Sequence, residues 1–206
     1  MRSWAVLRVG RSEGKLVYHP AGTSGTVGDP AVNFVIDPQR NVTLPNFVAT
    51  NLGINGLGSV DVYTTIGFEP PIAAVRIYDD AGAAGTKGFT LDALPLDAAL
   101  QPFENALLFA PNDTTRFRMN LGVRTMEATE VQFLHLDAAG FQRAFVRRDF
   151  PADYFIQGLV RDFTGVDVQA GDQIIVYTQQ KAVFAYGSII DNAANDPSVQ
   201  VAKHLK

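Results

Sequence analysis

The sequence predicts an all-β fold: two tandem immunoglobulin-like β-sandwich units with one or two short helices. Three observations predict it. Short runs rich in Val, Ile, Phe, Tyr and Thr recur along the chain, bounded by Gly, Pro, Asn or Asp. Only 18% of residues are charged, against about 25% in ordinary globular chains, so the wet surface must come from Thr, Asn, Gln, Ser and Gly, which suits exposed sheet. The third observation is an internal repeat, whose anchors recur at a spacing of roughly one hundred residues or a little more.

In the first half the strand-like runs are residues 4–9, 15–19, 32–36, 60–66, 73–78 and 87–91. In the second they are 106–109, 116–124, 130–136, 142–148, 173–179, 183–190 and 199–202. Alternation is clearest where Phe117, Met119, Leu121 and Val123 interleave with Arg116, Arg118, Asn120 and Gly122. Such a strand has one buried and one wet face. Residues 46–52 and 153–162 are expected as short helices. The second spaces Phe155, Leu159 and Phe163 at helical intervals, which suits a plug at one end of a sandwich. Residues 92–112, rich in Pro, Leu and Ala, form the expected junction, giving units 1–95 and 96–206. The C-terminal tail with His204 is expected to fray.

The repeat lays Phe133-Leu134-His135-Leu136-Asp137-Ala138-Ala139-Gly140 on Lys15-Leu16-Val17-Tyr18-His19-Pro20-Ala21-Gly22. Val176-Tyr177-Thr178 then repeats Val62-Tyr63-Thr64, and Ile189-Ile190-Asp191-Asn192 repeats Ile77-Tyr78-Asp79-Asp80. Pro45 and Pro151 each precede an aromatic stretch, and the order of anchors is the same in both halves.

Composition removes several function classes. There is no cysteine, which excludes disulfides, thiolate chemistry and Cys-based metal sites. The net charge is −4 and no run of Lys or Arg could neutralise several phosphates, so no nucleic-acid partner is expected. The basic stretch from Arg143 to Arg148 alternates with apolar residues, as one face of a strand would. No apolar run approaches the ~18 residues that cross a bilayer. The opening Met1-Arg2-Ser3-Trp4-Ala5-Val6-Leu7 is too short for a secretory core, so export would imply a signal upstream of it.

The candidate sites are few. Asp191, Asn192, Asn195 and Asp196 cluster hard oxygens that suit Ca²⁺, the one cofactor the chain suggests, though turn chemistry explains the same residues. Trp4, Tyr63, Tyr154 and Tyr177 are candidate stacking residues for a ligand. His19, His135 and His204 show no zinc spacing. Ser188 lacks the glycine that a nucleophile elbow needs after it. The loop Gly53-Ile54-Asn55-Gly56-Leu57-Gly58 lacks the Lys of a phosphate cradle. Arg76, Arg116, Arg118 and Arg124 are read as forks onto neighbouring loop carbonyls and carboxylates.

Arg118-Met119-Asn120-Leu121-Gly122-Val123, and Ala185-Tyr186-Gly187-Ser188-Ile189-Ile190-Asp191-Asn192 followed by Asn195-Asp196-Pro197, resemble repeats of poorly characterised exported bacterial β-sandwich proteins. There an R-x-N-L strand opens a unit, and a Y-x-S-x-x-D-N strand with an Asp-Pro turn closes it. The segment Val75-Arg76-Ile77-Tyr78-Asp79-Asp80, with Gly85-Thr86-Lys87-Gly88 after it, resembles another recurrent piece. The resemblance covers residues 72–200 and implies a secreted or cell-surface bacterial module. It carries over no catalytic residue.

The expected function is therefore a non-catalytic structural or interaction module, with protein or glycan partners at a cell surface. A carbohydrate-binding module and a self-assembling surface or filament subunit are the alternatives. For self-association, residues 4–9 would complete a neighbour's sheet by strand addition.

Overall fold

A computed structural model describes residues 2–7, 10–26, 28–80 and 85–205; for residues 2–7, 79 and 80 it describes the backbone alone. The chain divides into two compact units, Met1–Ala93 and Leu94–Lys206. Both are built of antiparallel sheets.

The first unit runs β1 (Arg2–Leu7), β2 (Ser12–Pro20), β3 (Ala31–Ile36), β4 (Asn41–Pro45), α1 (Phe47–Leu52), β5 (Gly58–Thr64), β6 (Ile72–Asp80) and β7 (Thr86–Asp92). One sheet has the order β4-β1-β6-β7 and the other β3-β2-β5. The inner residues of β2 and β3 (Leu16, Tyr18, Phe34, Ile36) meet Ala73 and Val75 of β6 and Phe47 and Val48 of α1 in one core.

The second unit runs β8 (Asn105–Phe109), β9 (Phe117–Thr125), β10 (Thr129–Leu136), β11 (Gln142–Phe150), β12 (Tyr154–Leu159), α2 (Val160–Thr164), β13 (Gln173–Thr178), β14 (Val183–Asp191), β15 (Pro197–Val201) and β16 (Lys203–Leu205). Its sheets are β12-β9-β14-β15 and β11-β10-β13-β8-β16. The core joins Met119, Leu121 and Val123 of one sheet to Val131, Phe133, Ile174 and Val176 of the other. Phe163 of α2 sits in it, its ring 5.5 Å from that of Phe133.

The two strand orders are the same once β1–β7 are laid on β9–β15 and α1 on α2. The second unit adds β8 before the shared set and β16 after it. Cross-strand partners give the register. Leu16 lies opposite Val62, and Phe133 opposite Val176. Leu16 therefore corresponds to Phe133 and Tyr18 to His135. The alignment read from sequence pairs Lys15 with Phe133, one residue out, and a one-residue slip exchanges the two faces of a strand. Lys15 is exposed, whereas Phe133 is fully buried.

Three expectations need correction. Residues 154–159 are strand, not helix: β12 pairs residue for residue with β9, and this tertiary pairing overrides the helical spacing of Phe155 and Leu159. Only α2 remains helical. The tail does not fray, because β16 pairs with β8. Residues 2–7 do not protrude as a donor strand either, since β1 is paired on both sides, with β4 and β6. The edge strand β4 escapes sequence reading because it is five residues long and ends in Pro45.

Candidate functional site

Period-two alternation sends Leu16 and Tyr18 inward and Lys15 outward on β2. The same rule places Tyr63 of β5 and Asn33 of β3 beside Lys15 on that outer face, since Lys15 is the cross-strand partner of both. Tyr63 is 42% exposed, with Lys15 Nζ 5.5 Å from its ring centroid. A shallow open groove runs over this face, bounded by Glu13, Lys15, Asn33, Val35, Tyr63 and Thr65.

The second unit has the corresponding row. Tyr177 of β13 lies opposite Gln132 of β10, which lies opposite Arg147 of β11. On its other side Tyr177 faces Asn105 of β8. By register Tyr177 matches Tyr63, Gln132 matches Lys15 and Arg147 matches Asn33. The neighbouring outer row is apolar: Phe145, Leu134, Ile175 and Leu107 follow one another across β11, β10, β13 and β8. Phe145 is 45% exposed, with the Arg147 guanidinium 5.4 Å from its ring centroid. Each face thus offers a tyrosine ring flanked by planar or cationic hydrogen-bonding groups.

Two histidine–carboxylate groups lie elsewhere, and both are buried. His19 Nδ1 lies 2.5 Å from Asp29 Oδ2, and Nε2 lies 3.1 Å from Asp61 Oδ2. Asp29 belongs to the segment after β2, and the Tyr18 amide donates to the Pro30 carbonyl close by. The histidine therefore pins that segment to the sheet. Burial pushes the Asp29 carboxyl up, but hydrogen bonds from the Thr26 amide and hydroxyl and from His19, with the charge of His19, outweigh burial and hold it below its ordinary value.

In the second unit His135 is fully buried, with Nε2 2.7 Å from Asp172 Oδ2 and Nδ1 3.4 Å from Thr164 Oγ1. The same Asp172 oxygen accepts from the Gln169 amide at 2.8 Å and from Arg143 Nη1. The order hydroxyl, imidazole, carboxylate imitates a hydrolytic triad. Yet Thr164 is 2% exposed and its Oγ1 lies 3.1 Å from the carbonyls of both Val160 and Val166. This group fastens α2 and the loop after it to β10.

The turn after β14 is organised by arginines. Asp191 Oδ1 accepts from the amides of Ala193 and Ala194, and its Oδ2 accepts from Arg116 Nε at 3.1 Å. Arg118 donates to Asn192 Oδ1 at 3.0 Å and Asn195 Oδ1 at 2.6 Å. The Asp196 carbonyl accepts from the Asp191 amide. Calcium would have to displace two guanidinium groups from these oxygens. The amides of Ala194 and Ala193 and then the Arg116 guanidinium hold the Asp191 carboxyl low. The Thr115 hydroxyl and the Arg116 amide do the same for Asp113. Arg124 donates to the Thr125 carbonyl and to Asp153.

Of the four candidate aromatics, the structure gives Tyr63 and Tyr177 corresponding positions. Tyr154 lies on β12 with its ring 5.9 Å from Phe150, packed against the core. The backbone of Trp4 pairs opposite Leu44 and Val75, and its side chain lies outside the described residues. Sequence reading missed the partners Lys15, Asn33, Asn105, Gln132 and Arg147. The period-two pattern around each tyrosine carried that information once register was known. No protein-family model, curated protein or solved structure matches the chain.

Proposed function

We propose that the chain is a non-catalytic interaction module: two β-sandwich units in tandem, each offering the outer face of one sheet to a partner at the bacterial cell surface or outside the cell. A core drawn from both sheets of each unit supports the sandwich reading. The connectivity is a variant. In an immunoglobulin domain the first strand lies at a sheet edge, whereas here β1 and β9 are interior.

The correspondence of Tyr63 and Tyr177 carries the proposal. Solvated outer faces have no packing reason to keep an aromatic ring at one register position, and a shared ligand geometry supplies such a reason. Carbohydrate is the partner class these faces suit best, because a ring for stacking stands beside planar donors and acceptors (Asn33, Gln132, Asn105, Arg147). The buried histidine–carboxylate groups support the non-catalytic reading, since their atoms are engaged in fastening loops. A glycan array probed with the full chain and with Tyr63→Ala, Tyr177→Ala and the double variant tests this. Each single change is expected to weaken glycan binding about tenfold, or about 1.4 kcal/mol, and the double variant to lose it. No signal above background, or unchanged binding by the double variant, overturns it.

A further inference from the structure

The correspondence between the units exposes one difference with consequences. In the second unit β13 is flanked by β10 and β8. Its counterpart β5 pairs with β2 alone among the described residues and ends its sheet. The slot that β8 fills beside β13 has no strand in it beside β5.

The ladder shows which groups face that slot. The Thr65 amide donates to the Glu13 carbonyl and the Ala21 amide to the Leu57 carbonyl, so odd-numbered residues of β5 bond to β2. The amides and carbonyls of Val60, Val62 and Thr64 point the other way. Their counterparts Ile174, Val176 and Thr178 point at β8, as the Phe103 amide on the Thr178 carbonyl and the Ala110 amide on the Asp172 carbonyl show.

Burial tells the same story. Ile174 and Val176 are 0% exposed, covered in part by Ala106 and Leu108 of β8, also 0% exposed. Val60 and Val62 pack on their core yet remain partly exposed. β5 also lacks the usual guards of a sheet edge. It has no Pro and no Lys, and its pairing with β2 runs without a register shift. Other edges are guarded, by Lys87 in β7, Arg147 and Arg148 in β11, Pro197 in β15 and Lys203 in β16.

We infer that the free edge of β5 is a strand-acceptor site, which binds an extended segment of another polypeptide antiparallel to β5. The β8 pairing states the chemistry of that segment: a small apolar residue opposite Val62, as Ala106 is opposite Val176, and a large one opposite Val60, as Leu108 is opposite Ile174. Main-chain hydrogen bonds supply affinity and the alternate side chains supply choice.

Amide hydrogen exchange on the full chain tests this, with a synthetic peptide of residues 103–110 (Phe-Glu-Asn-Ala-Leu-Leu-Phe-Ala) as the probe. In dilute protein the amides of Val60, Val62 and Thr64 should exchange faster than those of Ile174, Val176 and Thr178. The peptide should slow the three β5 amides at least about tenfold. A peptide N-methylated at Ala106 and Leu108, whose amides face the acceptor, should lose this effect, and one methylated at Leu107 should keep it. Protection that rises with protein concentration alone also supports the inference and makes a second copy the donor. The inference fails if β5 amides are already as slow as those of β13 in dilute protein, if the peptide changes nothing, or if both methylated peptides act alike.

Discussion

His135 Nε2 sits 2.7 Å from Asp172 Oδ2, with both side chains no more than 1% exposed. Removing one member of a buried, hydrogen-bonded pair leaves the other without compensation, at a cost of about 3–5 kcal/mol. Asp172→Ala also strips the Gln169 amide and Arg143 of their acceptor. Urea denaturation should show a loss in that range. A change below about 1 kcal/mol would mean the contact does not fasten α2 to β10.

Gly122 faces the ring of Tyr186 across the β9–β14 ladder. A Cβ at Gly122 would fall 2.2 Å from that ring, whose hydroxyl donates to Gln157 Oε1 at 2.5 Å. Gly122→Ala should therefore destabilise by about 1–3 kcal/mol. In a Tyr186→Ala background the added methyl should cost much less, and a thermodynamic cycle over the four proteins measures the coupling. Equal costs in both backgrounds would contradict the close approach.

The Asp29 carboxyl is held below its ordinary value of 3.8, so the folded state binds its proton more weakly than the unfolded state does. Its contribution is present above pH 3.8 and disappears as pH falls through the lower folded value. Asp29→Asn should lower the melting temperature at pH 6, and the gap from the parent should close below pH 3.8. A gap that is constant with pH would remove the ionic contribution.

Arg118 spans Asn192 and Asn195 with two nitrogens. Arg118→Lys cannot reproduce a planar fork. Both Arg118→Lys and Arg118→Ala should raise proteolytic nicking at residues 192–196, with a stability change within about 1 kcal/mol because the contact is at the surface. Rescue by lysine would show that charge alone holds the turn.

Much of this was legible in the sequence, for identifiable reasons. Strands β9, β10, β13 and β14 alternate cleanly and end at turn residues, so their positions follow from pattern. The repeat was legible because Val62-Tyr63-Thr64 and Val176-Tyr177-Thr178 end equivalent strands. Its register was not, since Lys15 and Leu16 are equally good anchors until a cross-strand partner is known. β12 misleads because Phe155, Leu159 and Phe163 keep helical spacing although the first two lie on the strand side of the β12–α2 boundary. The fasteners were hidden for another reason. His135 and Asp172 are 37 residues apart and share no motif, so only the fold brings them together. The open edge of β5 is a property of topology, and no residue in it announces it.

The account rests on the two units sharing one fold in one register, and cross-strand Hα–Hα NOEs in the full chain test that most directly. Non-hydrogen-bonded antiparallel pairs bring Cα atoms to about 4.5 Å, close enough for strong contacts between their α-protons. The predicted contacts are Leu16–Val62 and Tyr18–Val60 in the first unit, matched by Phe133–Val176 and His135–Ile174 in the second. Contacts from Lys15 to Val62, with Phe133–Val176 unchanged, would put the units one residue out of register. They would dissolve the correspondence of Tyr63 with Tyr177.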